Sequence, residues 1–228
     1  MNEGTKSPDV DLMLRCISLA KSSINAGEYP FAAVIARNGS FFCESINKVR
    51  RDHDVNRHAE IAAISKAQTV RGANLSDCTI YSTVEPCAQC SYAIREAQIG
   101  RVVYGLKSPL MGGHSRWNIL SDTDLSNMLP EVFLPAPEIV SGFLQNEVEA
   151  LFQQWNPLIW HVIKARGIFV SDAGASNARS SSPGGFMAKL TSLLRTRLID
   201  RIRQARADAN GDAYISPLAT SFQYSKNV

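Results

Sequence analysis

Two short fragments constrain this chain more than anything else in it: His58-Ala59-Glu60 and Pro86-Cys87-Ala88-Gln89-Cys90. One imidazole and two thiolates, the thiolates three residues apart, form a ligand set for a tetrahedral metal, zinc above all. A structural zinc site closes with a fourth protein ligand. No second Cys-x-x-Cys and no His-x-x-x-His accompanies these three residues. The fold is therefore expected to bring two distant segments together around one zinc per chain, with a coordination position left open. A Cys-x-x-Cys alone would also suit a redox pair or half of a structural zinc site. Neither alternative accounts for the His-Ala-Glu fragment.

An open zinc position implies hydrolytic chemistry. The metal lowers the pKa of a bound water toward about 7, so hydroxide is available at neutral pH. A carboxyl group that takes a proton from that water and returns it to a leaving group completes the set. Glu60, two residues from His58, is the candidate for this task and is not expected to ligate the metal.

Local patterns support the spacing. Glu60-Ile61-Ala62-Ala63-Ile64-Ser65-Lys66-Ala67 combines good helix formers with an apolar face, which puts His58 and Glu60 near a helix start. Pro86 suits the first turn of a second helix. Cys87 and Cys90 then share a helical face, at an end where the helix dipole favours thiolate. Residues 78–84 and 101–105 read as strands on either side of that helix. Further upstream, residues 9–26 read as a helix with apolar positions Leu12, Leu14, Ile17, Leu19 and Ile24. Residues 31–36 and 41–45 flank Arg37-Asn38-Gly39-Ser40, a hairpin signal. Strand–helix–strand order after the hairpin predicts a partly parallel sheet between helices. Residues 138–152 read as a helix that Trp155-Asn156-Pro157 ends.

The apolar share of 45% and charged share of 20% are those of a soluble globular chain. No apolar run reaches membrane-spanning length, and the polar N-terminus lacks a signal segment, so no membrane partner is expected. Cys16, Cys43 and Cys78 sit in apolar contexts and read as reduced core thiols, which suits the cytoplasm. Residues 171–185 are small, polar and rich in Gly, Pro and Ser, and read as a flexible linker. This places a catalytic domain at 9–170 and a C-terminal extension at 186–228. The extension opens with an amphipathic stripe of Met187, Leu190, Leu194, Leu198 and Ile202 and carries a basic excess. Such a helix suits nucleic acid, an acidic surface, a second subunit or its own domain.

With these residues placed, the chain resembles the cytidine-deaminase-like superfamily. The resemblance is to the branch of tRNA adenosine deaminases, guanine deaminases and fungal-type cytosine deaminases. The stretch from Thr83 through Glu85, Pro86 and Cys87 to Cys90 is similar to that branch's T-L/V-E-P-C-x-x-C. Tyr29-Pro30-Phe31-Ala32-Ala33-Val34-Ile35 is similar to its P-F/V-G-A-V-x-V strand, with Ala32 where glycine is usual. Asn47 falls where the family has an asparagine before the H-A-E helix. Met111-Gly112-Gly113-His114-Ser115 is similar to a G-G-C-G-S loop, from which His114, Arg116 and Trp117 depart. The resemblance covers about residues 10–120, fades toward 157 and is absent beyond 170.

It implies an α/β fold, a three-layer α-β-α sandwich with a mixed five-stranded sheet, here followed by a C-terminal helical extension. It also implies one zinc, a homodimer and hydrolytic deamination of a nucleobase or nucleoside. Glu60 would be catalytic, and His58, Cys87 and Cys90 the metal ligands. Asn47 would contact the base, with the Ala59 backbone amide against it. Phe31 stacks on the base or belongs to the core; His114 touches substrate or caps a helix. Two substrate classes compete: a free purine base or nucleoside, and an adenosine in a tRNA loop. Net charge is +3, and the tail from Phe186 holds seven Lys/Arg against three Asp, which leaves the body near neutral. A near-neutral body and an aromatic Phe31 favour the small-molecule substrate over tRNA. A non-catalytic partner subunit would be expected to lack the glutamate, and Glu60 is present.

Overall fold

The computed structural model describes residues 7–171. Its elements run α1 (Pro8–Asn25), β1 (Ala32–Arg37), β2 (Ser40–Ile46), α2 (Val49–Asp52), α3 (Ala59–Arg71), β3 (Cys78–Val84), α4 (Ala88–Glu96) and β4 (Arg101–Leu106). They continue as α5 (Thr123–Met128), β5 (Glu138–Val140), α6 (Gln145–Trp155) and α7 (Pro157–Ala165). The expected linker, apart from Ser171, and the expected extension at 186–228 lie outside the described residues.

The five strands form one mixed sheet in the order β2-β1-β3-β4-β5. Asn38 and Gly39, both at positive φ, make the two-residue turn between β1 and β2, as the Asn-Gly signal predicts. β1 pairs antiparallel with both β2 and β3; β3, β4 and β5 are parallel. Antiparallel neighbours can be joined by a hairpin, whereas parallel β3 and β4 need the crossover that α4 supplies.

Alternation along the strands builds two cores. Ala32, Val34, Ala36, Tyr81 and Val103 face α1, α6 and α7, where Met13, Cys16, Phe152 and Trp160 pack. Ala33, Ile35, Ile80, Val102 and Tyr104 face α3 and α4, where Ala59, Ala63, Ala67 and Ile94 pack. Helices on both faces of a mixed sheet are the three-layer sandwich that the sequence led to expect. Small residues on α3 let it lie close to the sheet, which brings its first turn toward the end of β3.

Two expectations are corrected. Residues 138–140 form the edge strand β5 and not a helix; helix begins only at Gln145. The parallel pairing of Val102 with Ile139 and Val103 with Val140 extends the sheet by a strand, and that pairing overrides local helix propensity. In α1 the inward stripe is Leu12, Met13, Cys16, Ile17 and Ala20, and Leu14 is exposed. Cys16, Cys43 and Cys78 are free thiols, Cys16 and Cys78 buried and Cys43 half-buried. Among the described residues, no helix is long and apolar enough to cross a membrane.

Candidate metal centre and active site

α3 and α4 begin on the same side of the sheet, and each begins on a metal-ligating residue type. His58 caps α3 at φ −64° and ψ 149°, and Cys87 caps α4 at φ −65° and ψ 173°. Neither side chain caps its own helix. Both turn instead toward a common point. The second helix starts at Ala88, so Pro86, expected in its first turn, lies just before the extended cap residue Cys87. Cys90, in the first turn of α4, brings its sulfur to the same point.

His58 Nδ1 lies 3.3 Å from Cys90 Sγ and 3.5 Å from Cys87 Sγ, and the two Sγ atoms are 3.6 Å apart. Tetrahedral zinc, with bonds of about 2.0–2.1 Å to nitrogen and 2.3 Å to sulfur, needs N–S separations near 3.5 Å and S–S separations near 3.8 Å. The donor atoms already stand at three vertices of such a site. Among the described residues, no other group of three His, Cys, Asp or Glu side chains converges in this way.

The electrostatics point to the same cation. Hydrogen bonds from Cys90 and His58 push the Cys87 thiol down to about 4. Cys90, hydrogen-bonded to that sulfur and buried, is pushed well up. The Cys87 contact also raises His58 above the ordinary imidazole value. Two sulfurs this close settle as one thiolate and one thiol, because like charges repel. A divalent cation is the group that lets both ionise. The donor set therefore fits zinc by geometry and by charge.

Glu60 lies in the first turn of α3 and is buried. Its Oε1 accepts the Ser82 hydroxyl at 2.8 Å, and its Oε2 lies 3.6 Å from Cys90 Sγ. Burial lifts the carboxyl above its ordinary range, and the Cys87 thiolate adds to this. A carboxyl lifted toward neutrality can take up a proton and release it again.

The other expected site residues are each held by contacts of their own. Ala59 is fully buried and is the first residue of α3, so its N–H has no partner within the helix. Asn47 is buried, donates its backbone N–H to Phe31 O at 3.0 Å and its Nδ2 to Glu28 Oε2 at 3.1 Å. The Phe31 ring has Tyr29, Phe152 and Phe169 about it, at centroid distances of 5.9–6.0 Å. His114 Nδ1 pairs with the Tyr104 hydroxyl at 2.9 Å.

Three further side chains organise these groups: Ser82 and Glu28, which the sequence does not single out, and Glu85, which it offers only as a member of the motif before Cys87. Glu85 opens the strand-to-helix turn that carries Cys87, directly after β3, and is 3% exposed. Its carboxylate accepts from Ser108 N at 2.7 Å, His114 N at 3.0 Å, Ser115 N at 2.6 Å and Ser115 Oγ at 2.7 Å. Gly113 N–H also bonds Pro86 O at 2.8 Å. The Gly112-Gly113-His114 loop is thus laced to the metal-binding turn. A Cβ on Gly112 would collide with the Glu85 carboxylate, and one on Gly113 with the Ser91 side chain. Two glycines are required because the loop backbone approaches that closely.

Residues 6–106 match the cytidine and deoxycytidylate deaminase zinc-binding region. Over 131 residues the chain is 32% identical to a tRNA-specific adenosine deaminase of Aquifex aeolicus (strain VF5), covering 55% of this chain and 87% of that one. The chain belongs to the cytidine-deaminase-like superfamily. It is also 42% identical over 92 residues to a guanine deaminase of Bacillus subtilis (strain 168), covering 40% of this chain and 59% of the relative. A solved structure from studies of A-to-I editing by tRNA deaminases at the wobble position of transfer RNA superposes with a TM-score of 0.55 at 31% identity. That match covers 62% of this chain and 99% of the other. For this superfamily member zinc is the cofactor, and His58, Cys87 and Cys90 are positioned to hold it. These two relatives are deaminases named for different substrates, a tRNA adenosine in one and guanine in the other.

Proposed function

We propose that this chain is a zinc-dependent hydrolytic deaminase of a purine base or nucleoside, exchanging an exocyclic amine for oxygen and releasing ammonia. One observation carries the reading: the buried Glu60 carboxyl, held by Ser82, lies 3.6 Å from Cys90 Sγ beside the three converging ligands. Zinc bound there supplies a water acidic enough to act as nucleophile at neutral pH. Glu60, held by Ser82, would be the group that accepts a proton and returns it to the departing nitrogen, so that ammonia leaves and not amide ion. Asn47 and the unpaired Ala59 N–H hydrogen-bond the polar edge of the ring. His114, its ring held by Tyr104, lines the substrate pocket. The aromatic neighbours of Phe31 support a packing role for it over stacking on a base.

The near-neutral charge of the body outside the tail supports a small substrate. Beside Asn47, Arg51 is paired with Asp52, and Arg57 with Asp54. A second reading, an adenosine flipped out of a tRNA loop, is favoured by the extent of the match to the Aquifex tRNA-specific adenosine deaminase. Exposed Met111, Trp117, Met128 and Leu129 support self-association as a homodimer. Free Cys16, Cys43 and Cys78 suit a reducing compartment such as the cytoplasm.

Ammonia release from the zinc-loaded protein, screened over purine and pyrimidine bases, nucleosides and tRNA, tests the proposal. At least one purine base or nucleoside should be turned over, with little change between about 50 and 200 mM salt. Activity on tRNA alone, falling steeply with salt, would favour the second reading. No release from any substrate would overturn both.

A further inference from the structure

The turn that ends α1 delivers a buried carboxylate to Asn47. Gly27 takes φ +78°, a conformation side chains resist. Its N–H bonds Ile24 O at 2.9 Å, and the Glu28 N–H bonds Ser23 O at 3.0 Å. These are the paired bonds of a Schellman cap. Ser23 Oγ donates to the Tyr29 carbonyl at 2.8 Å, which pins the chain on the far side. Held from both sides, Glu28 is 2% exposed.

Its carboxylate meets three donors. Oε1 accepts the Arg51 N–H at 2.7 Å; Oε2 accepts the Arg50 N–H at 3.3 Å and Asn47 Nδ2 at 3.1 Å. α2 has no side-chain cap of its own, so Glu28 satisfies its orphan donors from another element. The consequence for Asn47 follows from donor chemistry. A carboxylate only accepts, so the group facing it must be the amide NH₂. One N–H is thereby committed to Glu28, and the second N–H and the carbonyl oxygen are held in the same amide plane. The backbone fixes the rest: Asn47 N–H bonds Phe31 O, and Lys48 N–H bonds Arg57 O at 2.9 Å, next to His58.

We propose that Glu28 is a positioning residue that locks the Asn47 amide, so that Asn47 offers the substrate ring its remaining N–H and its carbonyl oxygen in one fixed orientation. This rests on Asn47 being a substrate contact, as argued above. Glu28 itself does not touch substrate.

Two measurements test it. By NMR on isotope-labelled protein, the Asn47 side-chain amide, identified by its loss in N47A, should be shielded from exchange with water and lose that shielding in E28Q. An Asn47 amide unmoved by E28Q overturns the proposal. Kinetics on guanine and on a tRNA anticodon stem-loop, with zinc content and Tm recorded, supply the second measurement. E28Q should raise KM about tenfold with kcat within about threefold and zinc retained, as for a lost binding interaction. In the N47A background the same change should add less than about twofold, because Glu28 acts through Asn47. An undiminished KM effect of E28Q in that background overturns the positioning role and leaves Asn47 a substrate contact. An unchanged KM in N47A itself removes Asn47 from the substrate, and the proposal falls with it.

Discussion

Ser82 on β3 donates its hydroxyl to Glu60 on α3 at 2.8 Å, and both side chains are buried. The bond fixes one carboxylate oxygen and leaves the other on the side of Cys90. It also favours the ionised form of a carboxyl that burial would otherwise keep protonated.

Glu60→Gln is expected to keep the fold and the zinc but lose deamination by about 10²–10⁴-fold, the share that general acid–base catalysis supplies. Ser82→Ala removes a donor that lowers the Glu60 pKa, so that pKa rises. The acid limb of kcat/KM against pH should therefore move to higher pH in Ser82→Ala. A limb that stays in place would mean that Glu60 does not govern it.

Metal content follows from the donor geometry. Elemental analysis should give close to one zinc per chain, and Cys87→Ala should abolish it while Cys43→Ala, half-buried on β2, leaves it intact. Retention of a full equivalent in Cys87→Ala would place the zinc elsewhere.

The Gly112-Gly113 approach predicts a packing penalty. Gly113→Ala should lower stability by about 1–3 kcal/mol, the usual cost of forcing an atom into a packed site. Glu85→Gln replaces an acceptor with an amide whose NH₂ faces backbone N–H groups, so the His114 and Ser115 amides should lose hydrogen-exchange protection. Unchanged protection in Glu85→Gln would show that the loop is held by other contacts.

Acid sensitivity should arise in part at Asp9. Arg101 grips its carboxylate with two bonds, at 2.8 and 2.9 Å, and holds it below the ordinary carboxylate range. A carboxyl lowered in the folded state stabilises the fold above its unfolded pKa, and that contribution is lost as pH falls through the folded value. Asp9→Asn should lower stability by about 1–2 kcal/mol at neutral pH. It should also flatten the fall in Tm below about pH 4, where unfolded Asp begins to protonate. A parent-like acid slope in Asp9→Asn would remove this pair from the account.

Much of the molecule was legible from residue order. The ligand set His58, Cys87 and Cys90 could be named because zinc accepts few donor types at few spacings. The Asn38-Gly39 turn and the apolar runs of β1, β3 and β4 were legible because turn chemistry and burial on both faces leave local patterns. The same locality explains the misses. Residues 138–140 hold no period of their own; they are a strand because β4 offers an unpaired edge. Leu14 fits a helical stripe by spacing, yet the sheet lies under Met13 and Cys16.

What sequence alone determined was the chemistry available: which atoms can bind zinc, and that a glutamate stands near them. Tertiary structure decided how those atoms are aimed. Ser82 and Glu28 are ordinary polar residues in the sequence and Glu85 is only a motif member without a stated task, and the roles of all three arise from partners on other elements. A hydrogen bond is directional and short, so its existence depends on the backbone placing two distant segments within about 3 Å. Residue type records the capacity to donate or accept; only the fold supplies the partner.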